Sequence, residues 1–503
     1  MAATAIVNPG EPRSVFKPAM LIMSGRMLAF AATFFIPVVL VRIFDPSQFG
    51  TYKQLFLIHS SIFFIAQLGM ASSLYYFLPL APKEAGRYVA NATLILGAAG
   101  LACSGILIVA APRLAHWMNN GEIPQYMPWL GTYLFLMMIS ASLEIVMISR
   151  GKYLLASASY ALSDLARAAA FILPALLFRQ LDWILKGAAL IAALRVVATY
   201  VYFQTEFGRT WRLDLTALQR QFAYALPFGL AVLVEILQGS LPQYVVSYLY
   251  DPAALAVLAV GCLQIPLVDF AASPTSDVMM VRMQESLAEG HRHVVAGIWR
   301  DTTWSLAVLF FPLVGFLLVT AREVITFLFT AKYIASVPIF MVWSAMIVSS
   351  ILQVDGVLRV FAQTRFILVL NLMRLAIVAG FIHWSLIHFH LIGAALVTVV
   401  ATLAFKIAAM VRIKTLLKVS TTELLPWRRL AALMGVAIGA AALTLILKTQ
   451  MHGHTWQIIL TAGLVYTIGY AALIWCFNLL TQGERLAIER SIQKAIGLRR
   501  RLA

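Results

Sequence analysis

Residues 88–111, YVANATLILGAAGLACSGILIVAA, run for 24 residues without one Asp, Glu, Lys or Arg. A membrane-crossing helix needs about 20 mainly apolar residues, and its backbone satisfies its own hydrogen bonds where no water is present. The stretch therefore reads as a transmembrane helix, and the same reading extends in both directions along the chain. Of the 503 residues 61% are hydrophobic and 12% charged, whereas a soluble domain has about 45–50% and about 25%. Fourteen spans of roughly 22 residues absorb this excess and leave tails and connections of about thirteen residues each. No such connection holds a soluble catalytic domain. That excludes a glycosyltransferase, ATPase or nucleic-acid-binding domain carried on a membrane anchor, and leaves intramembrane chemistry open. The fold class is an all-α polytopic membrane protein.

Breaking the hydropathy at charge clusters and Pro/Gly punctuation places the spans near 18–42, 53–78, 88–111, 126–149, 153–178, 184–205, 222–249, 255–281, 302–320, 336–358, 365–387, 391–411, 430–447 and 456–480. The first apolar run is longer than a signal-peptide core and is interrupted by Arg26, so it reads as an uncleaved helix. Counting Lys and Arg in alternate connections gives 24 on the side of the termini and 8 on the other, which places both termini in the cytoplasm. The net charge of +17 is then topological asymmetry, with no nucleic acid implied. The basic tail with Arg499, Arg500 and Arg501 reads as an anchor to anionic membrane lipid. Cys103, Cys262 and Cys476 lie far apart in apolar segments, and His383, His388 and His390 have no acidic or Cys companion, so no metal site or cofactor is expected. No P-loop, GxSxG elbow or kinase loop occurs.

Short matches recur at near-equal spacing. Phe44-Asp45-Pro46 resembles Tyr250-Asp251-Pro252 at an offset of 206, Asp164-Leu-Ala-Arg167 resembles Asn371-Leu-Met-Arg374 at 207, and Arg113 and Arg322 differ by 209. Each offset corresponds to six spans, an even number. The expectation is two six-helix lobes pointing the same way, related by a pseudo-two-fold axis along the membrane normal, with a substrate path between them. Residues 1–206 and 207–412 would form the lobes, and 413–503 the last helix pair and the tail.

An ionisable residue inside a span costs about 2.5–3.5 kcal/mol and so faces a partner or a wet cavity. The interior cations are Arg26, Arg167, Arg195, Arg359, Arg374 and Lys406, and the anions Glu144, Asp164, Glu235, Asp269, Asp277 and Asp355. Asp164 and Arg167 lie three apart and Asp355 and Arg359 four apart, spacings that predict salt bridges along one helix face. Lys406, Asp277 and Glu144 are close enough to cytoplasmic ends to snorkel. Arg26, Arg195 and Arg374 have no opposite charge three or four residues away. They are candidates to grip a diphosphate, because guanidinium forks pair with phosphate oxygens even when partly dehydrated; Arg167 joins them. Bridging of neighbouring helices is the alternative for each. Glu235 and Asp269 sit near mid-span, where a carboxylate suits a proton or sodium relay or pairs with an arginine of the other lobe. Pro227, Gly229, Gly239 and Pro242 flank Glu235 and predict a bend there.

Val41–Leu55, VRIFDPSQFGTYKQL, resembles the stretch after the first helix of polysaccharide flippases, where a short Pro and Phe-Gly-x-Tyr turn enters helix two. Arg150-Gly-Lys-Tyr153 and Leu328-Phe-Thr-Ala-Lys-Tyr333 also resemble that family's connections, although the family commonly has Gly where Thr330 or Ala331 stands. The resemblance is to the multidrug/oligosaccharidyl-lipid/polysaccharide exporter superfamily, in its Wzx-type O-antigen or exopolysaccharide branch. It implies transport of an undecaprenyl-diphosphate-linked oligosaccharide across a bacterial cytoplasmic membrane, coupled to H+ or Na+. A polysaccharide polymerase and a chain-length regulator are the implied partners, and arginines of the first helix and central cavity the implied head-group contacts; Arg26 fits by helix and depth. Two other readings stand beside it. A MATE-like cation antiporter needs a carboxylate-rich first lobe, and the first helix offers Arg26 without an Asp or Glu. An O-antigen polymerase or lipid-linked glycosyltransferase works in a large periplasmic loop, and the longest outer connection is about sixteen residues.

Overall fold

In the computed structural model the described backbone covers residues 16–477 apart from 452, together with 479; side chains are described from residue 32 onward and at Met27 and Phe30, except 228, 231, 292 and 293. Among the described residues the regular structure is entirely helical. Among the described residues ten helices are long and apolar enough to cross a membrane, and twelve if two bent pairs, Leu215–Pro227 with Val232–Leu249 and Pro252–Gly261 with Pro266–Ala288, each count as one span. The helix Thr364–Leu417 has 54 residues, about 80 Å at 1.5 Å per residue against a hydrocarbon core of about 30 Å. It has to turn back, and it does so at His390, whose φ of 51° and ψ of −142° leave the helical region. Beyond the turn Gly393 meets the returning backbone so closely that a Cβ would lie 2.1 Å from the Ser385 carbonyl oxygen. Counting this helix as two spans and Phe16–Ile43 as one reconciles the structure with the fourteen expected.

Several spans are interrupted where hydropathy runs on unbroken. The second comprises Pro46–Ala66 and Met70–Leu80, with Leu68 and Gly69 at positive φ between them. The fourth comprises Ile123–Ile139 and Leu143–Ser149, and the tenth Val337–Ala345, a 3-10 turn and Val354–Val360. The seventh bends by 46° and the eighth by 53°.

Helix contacts divide the chain into two compact units, one ending at Ala256 and one beginning at Val257. In the first unit the first span packs along the fifth, the third along the fourth, and the seventh lies against the second and third. In the second unit the thirteenth and fourteenth spans pack on each other and on the ninth. Large apolar side chains such as Val109 at 83% and Leu177 at 74% exposure lie outward where lipid replaces water as the surrounding medium.

The backbone carries the duplication more clearly than the sequence. Asp45 and Asp251, 206 apart, each cap a helix that opens with proline: Asp45 accepts from the Gln48 amide at 2.8 Å and Asp251 from the Ala254 amide at 2.9 Å. From Asn119, just past the third span, onward the spacing is 211. Leu143–Ser149 answers to Val354–Val360, and the next helices open at Tyr153 and Thr364. Positive φ recurs at Asn119 and Thr330, Gly151 and Ala362, Arg179 and His390. On this register the counterpart of Arg167 is Val378. The match of Arg167 with Arg374 at 207 is therefore one helical turn out of step, because four residues separate neighbours on a helix face.

The Phe-Gly-x-Tyr segment, read from the sequence as a turn, lies inside the helix Pro46–Ala66, and its Gly50 has a physical role. A Cβ there would lie 1.8 Å from the carbonyl oxygen of Pro252, so only glycine lets the start of the second span and the start of the eighth touch backbone to backbone.

Candidate functional site

Each unit encloses a charged cavity within the spans. In the first unit a cavity of about 190 Å³ is lined by Tyr133 of the fourth span, Ser163, Asp164 and Arg167 of the fifth, and Arg195 of the sixth. Arg167 pairs with Asp164 at 2.5 Å, as the spacing predicts, and also donates to the Thr33 hydroxyl of the first span at 2.9 Å. Arg195 donates to Glu144 at 2.7 Å, to the Ser163 hydroxyl at 2.5 Å and to the Ser140 hydroxyl at 3.2 Å. Glu144 in turn accepts from the Ser159 hydroxyl at 2.8 Å. Glu144 is 3% exposed; the expectation that it snorkels is corrected, since burial beside an arginine satisfies it without reaching the interface.

His59 belongs to the same cluster and was not singled out by its sequence context. It is buried on the second span, its ring stacked on Tyr133 with centroids 4.6 Å apart. Its Nε2 and the Nε of Arg167 are buried without a hydrogen-bond partner among the described residues. Unspent polar atoms in such a setting cost about 1–3 kcal/mol each, a cost a bound polar group would relieve.

In the second unit a cavity of about 320 Å³ is lined by Asp269, Ser276 and Asp277 of the eighth span, Gln353, Asp355 and Arg359 of the tenth, and Lys406 of the twelfth. Asp355 lies 3.7 Å from Lys406, which also donates to the Leu352 carbonyl at 2.9 Å. The expected Asp355–Arg359 bridge is corrected by this geometry: Arg359 is exposed on the same short helix while Lys406 reaches Asp355 from another span. Lys406 is likewise held inside rather than snorkelling. Arg374 of the eleventh span is within electrostatic reach of Lys406.

The sequence-predicted site residues are thus distributed. Arg167 and Arg195 share the first cavity, Asp269 lines the second, and Arg374 lies beside the second through Lys406. Glu235 is exposed on the seventh span, in the first unit, and forms no ion pair among the described residues. Arg26 lies on the first helix, and its side chain falls outside the described residues.

A family profile described as "Polysaccharide biosynthesis protein" matches residues 39–338. The chain belongs to this family. Its fold is shared with solved membrane transporters. A lipid II flippase, MurJ, in an inward closed conformation superposes with a TM-score of 0.71 at 12% identity, covering 92% of this chain and 99% of that one. A multidrug/oligosaccharidyl-lipid/polysaccharide exporter superfamily transporter from Pyrococcus furiosus superposes at 0.52 with 13% identity, covering 80% and 95%. A MATE transporter from Vibrio cholerae gives 0.54 at 13% identity, covering 81% and 97%. No curated protein matches by sequence. The polysaccharide family member described here is therefore a multi-pass membrane protein with the fold of a flippase or exporter.

Proposed function

We propose that the protein carries an undecaprenyl-diphosphate-linked oligosaccharide repeat unit from the cytoplasmic to the periplasmic leaflet of a bacterial inner membrane by alternating access. The observation that carries this reading is the combination of a polysaccharide-biosynthesis family profile with a transporter fold. A family that builds polysaccharide needs its lipid-linked intermediates moved between leaflets, and a chain made almost wholly of spans is suited to moving them. Arg26, Arg167 and Arg374 are the proposed diphosphate contacts, and Arg195, the fourth candidate from the sequence, is held by Glu144, Ser163 and Ser140. Glu235 and Asp269 are the proposed coupling carboxylates for H+ or Na+, drawing on about 2.3 kcal/mol per charge per 100 mV of membrane potential. Both termini are cytoplasmic in this reading, and a polymerase and chain-length regulator would receive the product.

Deletion followed by a leaflet assay of the lipid-linked precursor tests the proposal. A flippase leaves the precursor on the cytoplasmic leaflet. A polymerase leaves unpolymerised units on the periplasmic leaflet, and a multidrug antiporter leaves the glycan intact while changing drug sensitivity.

A further inference from the structure

The interrupted fourth and tenth spans are held in the same way. In the fourth, the break at Ser140–Ser142 ends one helix and begins Leu143–Ser149, with Glu144 in the first turn of the second piece. Arg195 reaches across from the sixth span to the Ser140 carbonyl at 3.5 Å and to Glu144 at 2.7 Å. In the tenth, Val354–Val360 begins after the break with Asp355 in its first turn. Lys406 reaches from the twelfth span to the Leu352 carbonyl at 2.9 Å and to Asp355 at 3.7 Å. Glu144 to Asp355 and Arg195 to Lys406 are each 211 residues, the register of the breaks themselves. In both cases one cation bonds a carbonyl at the break and a carboxylate in the first turn of the helical piece that follows.

The two copies differ in access. The side chains of Arg195 and Glu144 are 15% and 4% exposed, whereas Asp355 is 43% exposed and opens on the larger polar cavity. Asp269 and Asp277 line that cavity too, so Lys406 has other carboxylates to turn to there, while Arg359 offers Asp355 another cation.

We propose that Glu144–Arg195 and Asp355–Lys406 are matched positioning pairs that set the angle of the broken fourth and tenth spans, the first permanently and the second as a pair that opens during transport. The opening step rests on the transporter reading above; the pinning does not. In a cysteine-free background, spin labels at exposed Met341 and Arg365 report the tenth span, and labels at exposed Thr132 and Leu154 the fourth, in protein reconstituted in nanodiscs. Lys406→Met and Asp355→Asn are expected to add a second distance between Met341 and Arg365 and to slow precursor transfer at least tenfold. Lys406→Arg restores both. The double variant Asp355→Asn/Lys406→Met, which leaves no unpaired charge, is expected to give the same second distance, so a single variant that fails to fold does not remove the test. An unchanged distance distribution in the single and double variants overturns the pin, even if transport is lost. A changed distribution with unchanged transfer overturns the opening step. Failure of the leaflet assay removes the flippase reading while leaving the distance measurement intact.

Discussion

Arg195→Met is expected to be far more damaging to stability than Lys406→Met, although the two residues occupy equivalent places. Arg195 reaches Glu144, Ser163 and Ser140 with its side-chain nitrogens, and its removal leaves Glu144, 3% exposed, with the Ser159 hydroxyl at 2.8 Å as its one remaining partner among the described residues. Breaking a buried pair from one side costs about 3–5 kcal/mol, chiefly because a charge is stranded, whereas replacing both partners with apolar groups is often near neutral. The cycle of Arg195→Met, Glu144→Leu and the double variant should therefore show a coupling of about 2–4 kcal/mol. The corresponding cycle at Lys406 and Asp355 should give less than about 1 kcal/mol, because Asp355 is 43% exposed and solvent screens its loss of a partner. Unfolding in mixed micelles by detergent titration measures both. Equal couplings in the two cycles, or a first-unit coupling below about 0.5 kcal/mol, would refute the assignment of one sealed and one accessible pair.

Gly50→Ala should destabilise the first unit by at least the ~1–3 kcal/mol typical of overpacking, since the new Cβ meets the Pro252 carbonyl oxygen rather than a movable side chain; normal yield and normal thermal stability would count against that contact. Gly393→Ala should likewise weaken the turn between the eleventh and twelfth spans against Ser385, read as faster proteolysis at that connection. Asp214 caps the seventh span, and its carboxyl is held at about 2 rather than 3.8, first by the Thr216 hydroxyl and then by the Ala217 amide, with Thr216's amide and Arg87 adding to it. A depressed carboxyl stabilises fully above its ordinary value and loses that contribution as pH falls from about 4 to about 2. Amide exchange at the start of the seventh span should therefore rise across that window, and Asp214→Asn should flatten the rise. Arg374→Ala and Arg167→Ala should each block surface glycan while the protein stays inserted; unchanged glycan in both would remove them from the diphosphate contacts.

Hydropathy made the helical class and the spans legible because each apolar run exceeds what a bilayer requires, and that signal needs no partner. The breaks were not legible in the same way. Ser140–Ser142 and the 3-10 turn before Val354 sit inside long apolar runs, where a few Ser and Gln residues do not by themselves mark the end of a helix. His59 escaped notice because what distinguishes it is Tyr133 on another span. Spacing on one helix is visible in a sequence and reach between helices is not, so Asp355 pairs with Arg359 by spacing and with Lys406 in the fold. One long-range signal was nevertheless present. Glu144 precedes Arg195 by 51 residues, and Asp355 precedes Lys406 by 51; the equal spacing of acid and base in the two repeats points to both pairs.

An interrupted helix in lipid frees carbonyl groups that have to be satisfied, and neutral side chains suffice for that elsewhere in this chain. At the break in the second span Gln67 donates its own side chain to the Phe63 carbonyl at 3.1 Å, and at the tenth Gln353 already donates to Ser350 at 2.6 Å. A local amide carries no charge and calls for no second residue to balance it. Arg195 and Lys406 do, and each brings a carboxylate into the span, at the desolvation cost that buried ions incur in the case of the sealed Glu144. A device that costs more than the neutral one beside it, and is found in both repeats, serves something beyond satisfying a carbonyl. What an ion pair offers, and an amide does not, is a contact whose strength depends on a charge that another charge can take over, and the second unit surrounds its copy with such charges.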